Sequence, residues 1–185
     1  MRVLQLSSPD GANRLTRVCV LELSAAILEL ARDARPLIIT GNDKFFSAGA
    51  DLQEIAALTG PEALEFSRTG QELMNGIAGF PAPVCAAVHG YCMGGGLDLA
   101  LACDYRVAGP HAIFGHRGAA LGLITGWGGT QRLPRLVGKA HALQMFVAAE
   151  KVNSAEALRI GLVNAVADDP VGWAAKKLEQ AATSS

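Results

Sequence analysis

Three consecutive glycines at the start of a predicted helix are the first feature of this sequence that could do chemistry. Gly94, Gly95 and Gly96 lie in "VHGYCMGGGLDLALACD" (88–104), after an apolar run and directly before the helix. The first backbone N–H groups of a helix have no partner within it and carry partial positive charge, so they can bind an anion or a developing oxyanion. Glycines leave these groups unshielded by side chains.

A second loop of small residues, "FFSAGADL" (45–52), also leads into the start of a helix. If each loop places one N–H group on the same carbonyl oxygen, the two loops together form an oxyanion hole with two donors. The alternative is that both loops are only tight turns in which backbones pack closely. The residue types alone leave both interpretations open.

Asp98 is the acidic side chain closest to the glycine cluster, two residues beyond it in the predicted helix. A carboxylate at this point could move a proton to or from a substrate held by the N–H groups. It could also be no more than an acidic residue in the first turn of a helix, where the dipole favours negative charge.

Other glycine-rich motifs do not fit the spacing. A P-loop requires G-x-x-x-x-G-K-[ST], but the segment ending in Gly138 and Lys139 has Leu133 at the first glycine and no hydroxyl after the lysine. The stretch "FFSAG" has Phe45 where a nucleophile elbow requires glycine, and no cluster has the dinucleotide-binding order. No His, Cys, Asp and Glu cluster has the spacing of metal ligands, so no metal is implied.

The elements that must position these residues alternate between strand and helix, which predicts an α/β fold with parallel strands. The predicted strands are 3–6, 36–40, 83–90, the two short segments "YRVAG" and "AIFG", and 162–167. The predicted helices are one capped by Thr16, one opened by Asp51, and 60–80, 95–103, 128–138, 139–149, 154–161 and 170–182. Helix 95–103 is apolar nearly all round, so we expect it in the interior.

Composition narrows the class of protein. The 185 residues are 50% hydrophobic and 18% charged, which predicts a compact globular domain. A formal net charge of −1 leaves no basic surface to follow a phosphate backbone, so nucleic acid is not an expected partner. Without a targeting segment or a long apolar run, the sequence predicts a cytoplasmic protein that does not enter membranes. The four cysteines are scattered in apolar stretches and are expected to be reduced core thiols.

Three stretches in a fixed order resemble the crotonase superfamily, the enoyl-CoA hydratases and isomerases. They are "FFSAGADL", "PVCAAVHGYCMGGGLDLALACDYRVAG" and "LGLITGWGGTQRLPRLVGKAHALQM", and the similarity extends from about residue 36 to about residue 167. The resemblance implies a crotonase-like spiral of ββα units with a helical C-terminal region. It also implies an acyl-CoA thioester as substrate; coenzyme A is then part of the substrate and no separate cofactor is implied.

The resemblance assigns roles to particular residues. The N–H groups of Ala50 and Gly95 would bind the thioester oxygen and stabilise an enolate, so both are predicted to be catalytic together with Asp98. The residues that would lie along the adenine and pantetheine of coenzyme A are Ala48, Ala50, Asp51, Leu52 and Gln53.

The acidic positions depart from the hydratases of this superfamily, in which two glutamates hold water and deliver a proton. The first position is Asp98 here and the second is Gly118, in "FGHRGAALG"; the acid position of some isomerases and dehalogenases is Gly126. A single carboxylate is compatible with double-bond isomerisation, or with hydration in which other groups place the water. The alternatives are a weak or inactive acyl-CoA binder and another crotonase chemistry, such as decarboxylation or thioester hydrolysis.

Two more side chains are candidates for the pocket. His116 and Arg117 precede the vacant acid position, and His116 could carry a proton near neutral pH or be a structural residue at the end of a strand. Trp127, in "TGWGG", is expected to pack in the core or to form a wall of the pocket. We therefore include His116, Gly118 and Trp127 among the predicted substrate-binding residues.

The end of the chain carries a prediction about assembly. We divide the chain into an acyl-CoA-binding core, 1–167, and a C-terminal helix, 168–185, that is shorter than the helical region of the family. In "PVGWAAKKLEQAA" the residues Val171, Ala174, Ala175 and Leu178 fall on one helical face. This apolar stripe is expected to dock on the chain's own core or on a neighbouring subunit, and we predict a homotrimer or a dimer of trimers.

Overall fold

The computed structural model describes residues 1–183. Its strands are β1 (Arg2–Gln5), β2 (Arg14–Leu15), β3 (Leu37–Thr40), β4 (Phe45–Ser47), β5 (Gly49–Ala50), β6 (Val84–Val88), β7 (Tyr91–Met93), β8 (Tyr105–Ala108), β9 (Ile113–Gly115), β10 (Lys151–Asn153) and β11 (Ala165–Val166). Its helices are α1 (Arg17–Ala31), α2 (Leu52–Ala57), α3 (Gly60–Ala78), α4 (Gly95–Ala102), α5 (Gly129–Phe146), α6 (Ser154–Arg159) and α7 (Pro170–Thr183), with a 3-10 turn at Gly118–Leu121.

A five-stranded sheet in the order β1-β3-β6-β8-β11 forms the base of the fold, and every pair in it is parallel. Successive residues of a strand point to opposite faces, and both faces of this sheet are buried. Leu37 and Ile39 therefore pack into the main core, whereas Ile38 between them packs into a second core on the other face. The predicted α/β class with parallel strands is confirmed.

A second sheet, in the order β10-β9-β7-β4, lies next to the first and contains one antiparallel pair, β9 with β10. The short strands β2 and β5 form a third, parallel pair. Strand β5 leads into α2 and strand β7 leads into α4, so the two small-residue loops belong to neighbouring layers of the fold.

Helix α4 lies inside the molecule, as its apolar sequence predicted. All eight of its residues are buried, including Asp98. It is enclosed by α3, α5, β4, β5 and β7. A helix in this position cannot move its N-terminus without displacing several neighbours, so the glycines at that end are held in a fixed place.

The starts of the helices follow their predicted caps. The Thr16 hydroxyl accepts a hydrogen bond from the Cys19 N–H at 3.2 Å, and the Asp51 carboxylate accepts from the N–H groups of Gln53 and Glu54 at 2.8 and 3.1 Å. These side chains satisfy N–H groups that have no partner within the helix. Asp51 also lies 3.9 Å from the guanidinium of Arg14.

Several short strands do not appear in the sequence pattern. Strands β2, β5 and β7 contain two or three residues each, too few to show an alternation of apolar and polar positions. The predicted strand 162–167 contracts to Ala165–Val166. The prediction of two helical segments within 128–149 is confirmed, because the helical path of α5 breaks at Gly138, where φ is 81°.

Helix α7 docks on the outer face of the parallel sheet. Ala174 and Leu178 are buried against Ile38, Cys85, Ala87 and Val107, with Val171 and Ala175 packed beside them. The predicted apolar stripe is therefore covered by the chain's own sheet. None of the described helices is both long enough and apolar enough to cross a membrane.

Candidate active site

A cavity of about 760 Å³ opens where the second sheet meets the start of α4. Its walls are mostly apolar side chains of α2, α3 and the segment around the 3-10 turn, with backbone of β5 and α4 on one side. Seven of the predicted site residues line it: Ala48, Ala50, Leu52, Gly95, His116, Gly118 and Trp127. The loops that the sequence singled out therefore meet at one cavity.

The backbones of Ala50 and Gly95 approach each other closely at the cavity wall. A methyl group at Gly95 would lie 3.4 Å from the Ala50 nitrogen. Gly95 is the first residue of α4, so its N–H group has no acceptor within the helix. The backbone nitrogens of two separate elements thus lie close together at one cavity, as the two donors of an oxyanion hole must.

A hydrogen-bond network fixes the loop that carries Ala50. The Ser47 hydroxyl donates to the Asn13 carbonyl at 2.6 Å and accepts from the Gly49 N–H at 3.1 Å. The Asn13 amide group in turn donates to the carbonyl of Phe45 at 2.8 Å. Asn13 and Ser47 are buried, so the network fixes the segment that joins β4 to β5 behind the cavity.

Each glycine of the cluster is required for a different structural reason. Gly94 caps α4 with φ of 51°, a left-handed conformation that favours glycine. A methyl group at Gly95 would lie 2.4 Å from the indole of Trp127, and one at Gly96 would lie 2.6 Å from Cβ of Ser47. The close approach of the Ala50 loop and of Trp127 to the start of α4 is therefore possible only with these glycines.

Trp127 forms a wall of the cavity and packs in the core at the same time. It is 4% exposed, its indole N–H donates to the Phe66 carbonyl at 3.2 Å, and its ring lies 5.2 Å from the Phe66 ring. The indole lies directly against Gly70 in α3, where even a methyl group would overlap it. Trp127 therefore has both of the positions considered for it from the sequence, packed in the core and in the wall of the cavity.

Asp98 is completely buried and lies behind the cavity wall. The Thr125 hydroxyl donates to one carboxylate oxygen, Oδ2. The other, Oδ1, is 3.2 Å from Nε2 of His116 and close to the α-carbon of Gly129, the first residue of α5. Asp98 is therefore not a cap of its own helix; its contacts are to residues of other elements.

His116 connects Asp98 to the cavity. It is 3% exposed, lines the cavity, and stacks against Phe146 with ring centroids 4.8 Å apart. Its Nε2 and the Oδ1 of Asp98 are within contact distance but lack the alignment of a hydrogen bond.

Three predicted residues do not line the cavity. Asp98 lies behind the wall, Asp51 is occupied in capping α2, and Gln53 lies in the first turn of α2 beside Leu52. Among the described residues, no group of three or more His, Cys, Asp or Glu side chains is arranged to hold a metal ion.

Thr125 is the site residue that the sequence did not reveal. It lines the cavity and holds Asp98, although the two are 27 positions apart. Nothing in the pattern around a lone threonine signals a contact of this kind. The neighbouring Gly126 is held through its carbonyl, which accepts hydrogen bonds from Gln71 at 2.7 Å and Ser67 at 3.0 Å.

Known proteins share both the sequence and the fold. The Enoyl-CoA hydratase/isomerase family model matches residues 1–183. A crotonyl-CoA hydratase of Syntrophomonas wolfei is 44% identical over 169 residues, which are 90% of this chain and 65% of that protein. A probable enoyl-CoA hydratase of Bacillus subtilis is 44% identical over 170 residues, 90% of this chain and 66% of that protein. The chain thus spans just under two thirds of the length of these relatives.

Solved structures confirm the predicted crotonase-like fold. DspI of Pseudomonas aeruginosa superposes with a TM-score of 0.93 at 39% identity, over 99% of this chain and 77% of that one. An enoyl-CoA hydratase of Thermoplasma volcanium superposes with a TM-score of 0.91 at 34% identity, over 96% of this chain and 72% of that one. With the matched family model and the paired loops at one cavity, these similarities show that the chain belongs to the enoyl-CoA hydratase/isomerase family.

Proposed function

We propose that the cavity binds an acyl-CoA thioester and stabilises its enolate, so that the protein hydrates an enoyl-CoA or moves its double bond. The observation that carries this proposal is the meeting of the Ala50 and Gly95 backbones at one cavity wall. Membership of the family and the names of the relatives support the same substrate class. Coenzyme A enters as part of the substrate, and the proposal requires no separate cofactor.

The chemistry follows from where charge appears. When an enolate forms, negative charge moves to the thioester oxygen, and donors that are already in position stabilise this charge without rearrangement. The apolar walls of the cavity strengthen the effect because they exclude water and lower the local dielectric. Stabilisation that exists only in the transition state increases the rate of the reaction, not merely the binding of the substrate.

The start of α2 supports a proposal about coenzyme A. Leu52 lines the cavity and is half exposed, and Asp51 and Gln53 flank it at the start of α2. We propose that the pantetheine passes along this segment. A cytoplasmic location and a trimeric assembly stay predictions from the sequence.

A second candidate function is acyl-CoA binding with little or no turnover. One observation favours it: none of the described residues lining the cavity is an aspartate or glutamate. If no other group moves the proton, no enolate forms and the cavity only binds the thioester.

A panel of enoyl-CoA thioesters of increasing chain length separates the two functions. Turnover is followed by loss of the conjugated double bond and by a product heavier by one water, or of unchanged mass for isomerisation. We expect at least one thioester to be converted. Binding of these thioesters, measured by calorimetry, without conversion of any of them would favour the binding function.

The oxyanion hole is tested with a matched pair of variants. Ala50→Pro removes the N–H donor, and Ala50→Ser retains it with a small change of side chain. Removing one donor from such a site lowers kcat by about 100- to 1,000-fold. We therefore expect this loss in Ala50→Pro and nearly normal kcat in Ala50→Ser, with circular dichroism to establish that both variants are folded. Equal activity of the two variants would contradict the assignment of Ala50.

A further inference from the structure

The cavity has few groups that could exchange a proton with a bound substrate. Among the described lining residues, the side chains with a dissociable proton on nitrogen or a phenol are Tyr91, His116, Arg117 and Lys151. Arginine stays protonated in proteins, and tyrosine and lysine titrate about three pH units above neutrality in water. Histidine titrates close to neutral pH. His116 is therefore the lining residue best suited to accept and return a proton.

Lys151 and Tyr91 are also in contact with each other. The Lys151 ammonium lies over the Tyr91 ring at 5.9 Å from its centroid, and the Tyr91 side chain is 42% exposed. A cation over an aromatic face is attracted to the ring electrostatically. This contact leaves His116 as the candidate beside the buried carboxylate.

The burial of Asp98 determines how it can act. It is 0% exposed and does not line the cavity, so a substrate in the cavity meets His116 and Thr125 before it meets the carboxylate. A buried carboxylate is stable only when its oxygens have partners. The Thr125 hydroxyl satisfies Oδ2, and the start of α5 at Gly129 lies near Oδ1.

Two buried atoms in this cluster have no hydrogen-bond partner among the described residues, and they are neighbours. They are Oδ1 of Asp98 and Nε2 of His116, 3.2 Å apart. One is an acceptor, and the other is a donor when it carries hydrogen, so a small tilt of the ring satisfies both. Leaving both unpaired would destabilise the fold, because a buried polar atom without a partner loses its hydrogen bonds to water and gains none. The pairing therefore selects the tautomer with hydrogen on Nε2 and leaves Nδ1 able to take a proton.

We propose that His116 is the proton-carrying catalytic residue of this site and that Asp98, held by Thr125, is its positioning residue. This inference rests on the proposed function. It differs from the expectation for the sequence, in which Asp98 itself transfers the proton.

The proton steps balance with one histidine. In hydration, neutral His116 takes a proton from water while the water oxygen bonds to Cβ of the enoyl group, and the electron pair of the double bond moves onto the thioester oxygen. The imidazolium then returns a proton to Cα as the enolate collapses. In isomerisation, His116 takes a proton from Cγ and returns one to Cα, or the reverse. Neither route needs an oxidant or a reductant.

The test compares variants in two assays, turnover of the enoyl-CoA that the wild-type protein converts best, and exchange of the Cα protons of butyryl-CoA with D₂O. His116→Ala should lower kcat by about 100- to 10,000-fold with little change in KM. Added imidazoles should restore activity in proportion to their basicity, because the vacated space lies on the cavity wall. The matched control is His111→Ala, an exposed histidine outside this cavity, which should keep normal rates. If His116→Ala does not fold by circular dichroism, His116→Gln should give the same loss.

The role of Asp98 has its own signature. Asp98→Asn should lower kcat at least about 10-fold in the wild-type background and add nothing in the His116→Ala background, because a positioning residue acts through its partner. Thr125→Val should lower kcat and Thr125→Ser, which keeps the hydroxyl, should restore it.

The outcomes separate this inference from the proposed function. Normal kcat in His116→Ala or His116→Gln, or a further loss when Asp98→Asn is added to His116→Ala, would overturn the assignment of His116 while the proposed function stands. A wild-type protein that neither converts any enoyl-CoA nor exchanges the Cα protons of bound butyryl-CoA would overturn both.

Discussion

The backbone around Gly118 explains why this position carries no carboxylate side chain. The Leu123 N–H donates to the Gly118 carbonyl at 2.8 Å, which closes the loop 118–123 on itself. A methyl group at Gly118 would lie 2.7 Å from the carbonyl oxygen of Leu123. A backbone atom cannot move aside as the end of a flexible side chain can, so the loop in this form excludes a side chain at position 118.

Gly118→Glu should therefore not restore a hydratase with two acids. We expect the overpacked loop to cost about 1–3 kcal/mol in the free energy of unfolding and enoyl-CoA turnover to fall. Ala119→Glu is the matched control, because Ala119 is exposed and does not line the cavity. Thermal denaturation and steady-state kinetics measure the two effects. A Gly118→Glu variant with unchanged stability and higher turnover would show that the loop opens readily.

The cysteines give a second prediction at the scale of residues. Burial raises the pKa of the Cys85 thiol to about 12 and raises the pKa of Cys92 and Cys103 well above the usual value. Burial, with the nearby Glu22, also raises the pKa of Cys19, but this thiol is only partly buried.

At pH 8 the thiolate fraction of all four cysteines should therefore be small. Iodoacetamide should label Cys19 first, slowly, and should label the other three only after denaturation. Peptide mass spectrometry measures the order, and the protein in urea serves as the control for full reactivity. Rapid labelling of Cys92 in the folded protein would indicate that the core opens far more often than its burial implies.

Some residues of the candidate active site could be predicted from the sequence and others could not. Ala50 and Gly95 stand in recognisable motifs, so their position at one cavity could be predicted. Thr125 could not, because its contact with Asp98 depends on how α4 and the segment before α5 pack. The burial of Asp98 behind the wall was also hidden, since an apolar helix with one acid looks the same whether the acid faces a cavity or another helix.

Helix α4 is stabilised at its C-terminal end by a side chain from elsewhere in the chain. Its N-terminus borders the cavity, and its C-terminus meets the buried side chain of Arg106 in β8. The Arg106 guanidinium donates to the carbonyls of Cys103 at 2.6 Å, Leu162 at 2.9 Å and Ala100 at 3.4 Å. The positive charge of Arg106 also interacts favourably with the negative end of the helix dipole.

Arg106→Met should destabilise the protein strongly, because it leaves several buried carbonyl groups without donors. We expect a loss of about 3 kcal/mol or more and a fall in Tm of about 6–12 °C. The matched control is Arg159→Met, whose guanidinium pairs with Glu156 on the exposed surface of α6, and which should melt close to the wild-type temperature. Equal Tm values for the two variants would mean that Arg106 contributes no more than a surface arginine.

At the scale of elements, helices were predicted better than strands. Thr16 and Asp51 cap α1 and α2 as the sequence indicated, because capping depends on residues within one turn. Strands β2 and β5 exist through their pairing with each other, a contact between positions 14–15 and 49–50. Their two residues carry no local signal, so only the tertiary fold reveals them.

The whole molecule covers its C-terminal apolar stripe by itself. Helix α7 packs on the parallel sheet through Ala174 and Leu178, which removes the stripe as a reason for assembly. Other apolar side chains stay on the surface, among them Val18, Leu21 and Leu28 of α1, Leu143 of α5, and Val147 directly after α5. Patches of this kind are typical of surfaces that contact another subunit.

We therefore keep the prediction of a homotrimer or a dimer of trimers, now motivated by these helix faces. Light scattering at micromolar concentration should give about three times, or about six times, the chain mass of 19.2 kDa. The control is Leu28→Ser, a change at an exposed position of α1 that should shift the mass toward the monomer if α1 forms the contact. A constant mass of one chain across a dilution series would contradict assembly.

The central claim is that the N–H groups of Ala50 and Gly95 stabilise an enolate of a bound acyl-CoA, and proton exchange tests it most directly. Butyryl-CoA has no double bond to hydrate, so exchange of its Cα protons with D₂O reports enolate formation alone. NMR should show exchange in the wild-type protein well above the buffer rate, about 100- to 1,000-fold slower exchange in Ala50→Pro, and nearly normal exchange in Ala50→Ser. Exchange at the buffer rate with butyryl-CoA bound to the folded wild-type protein would contradict the claim.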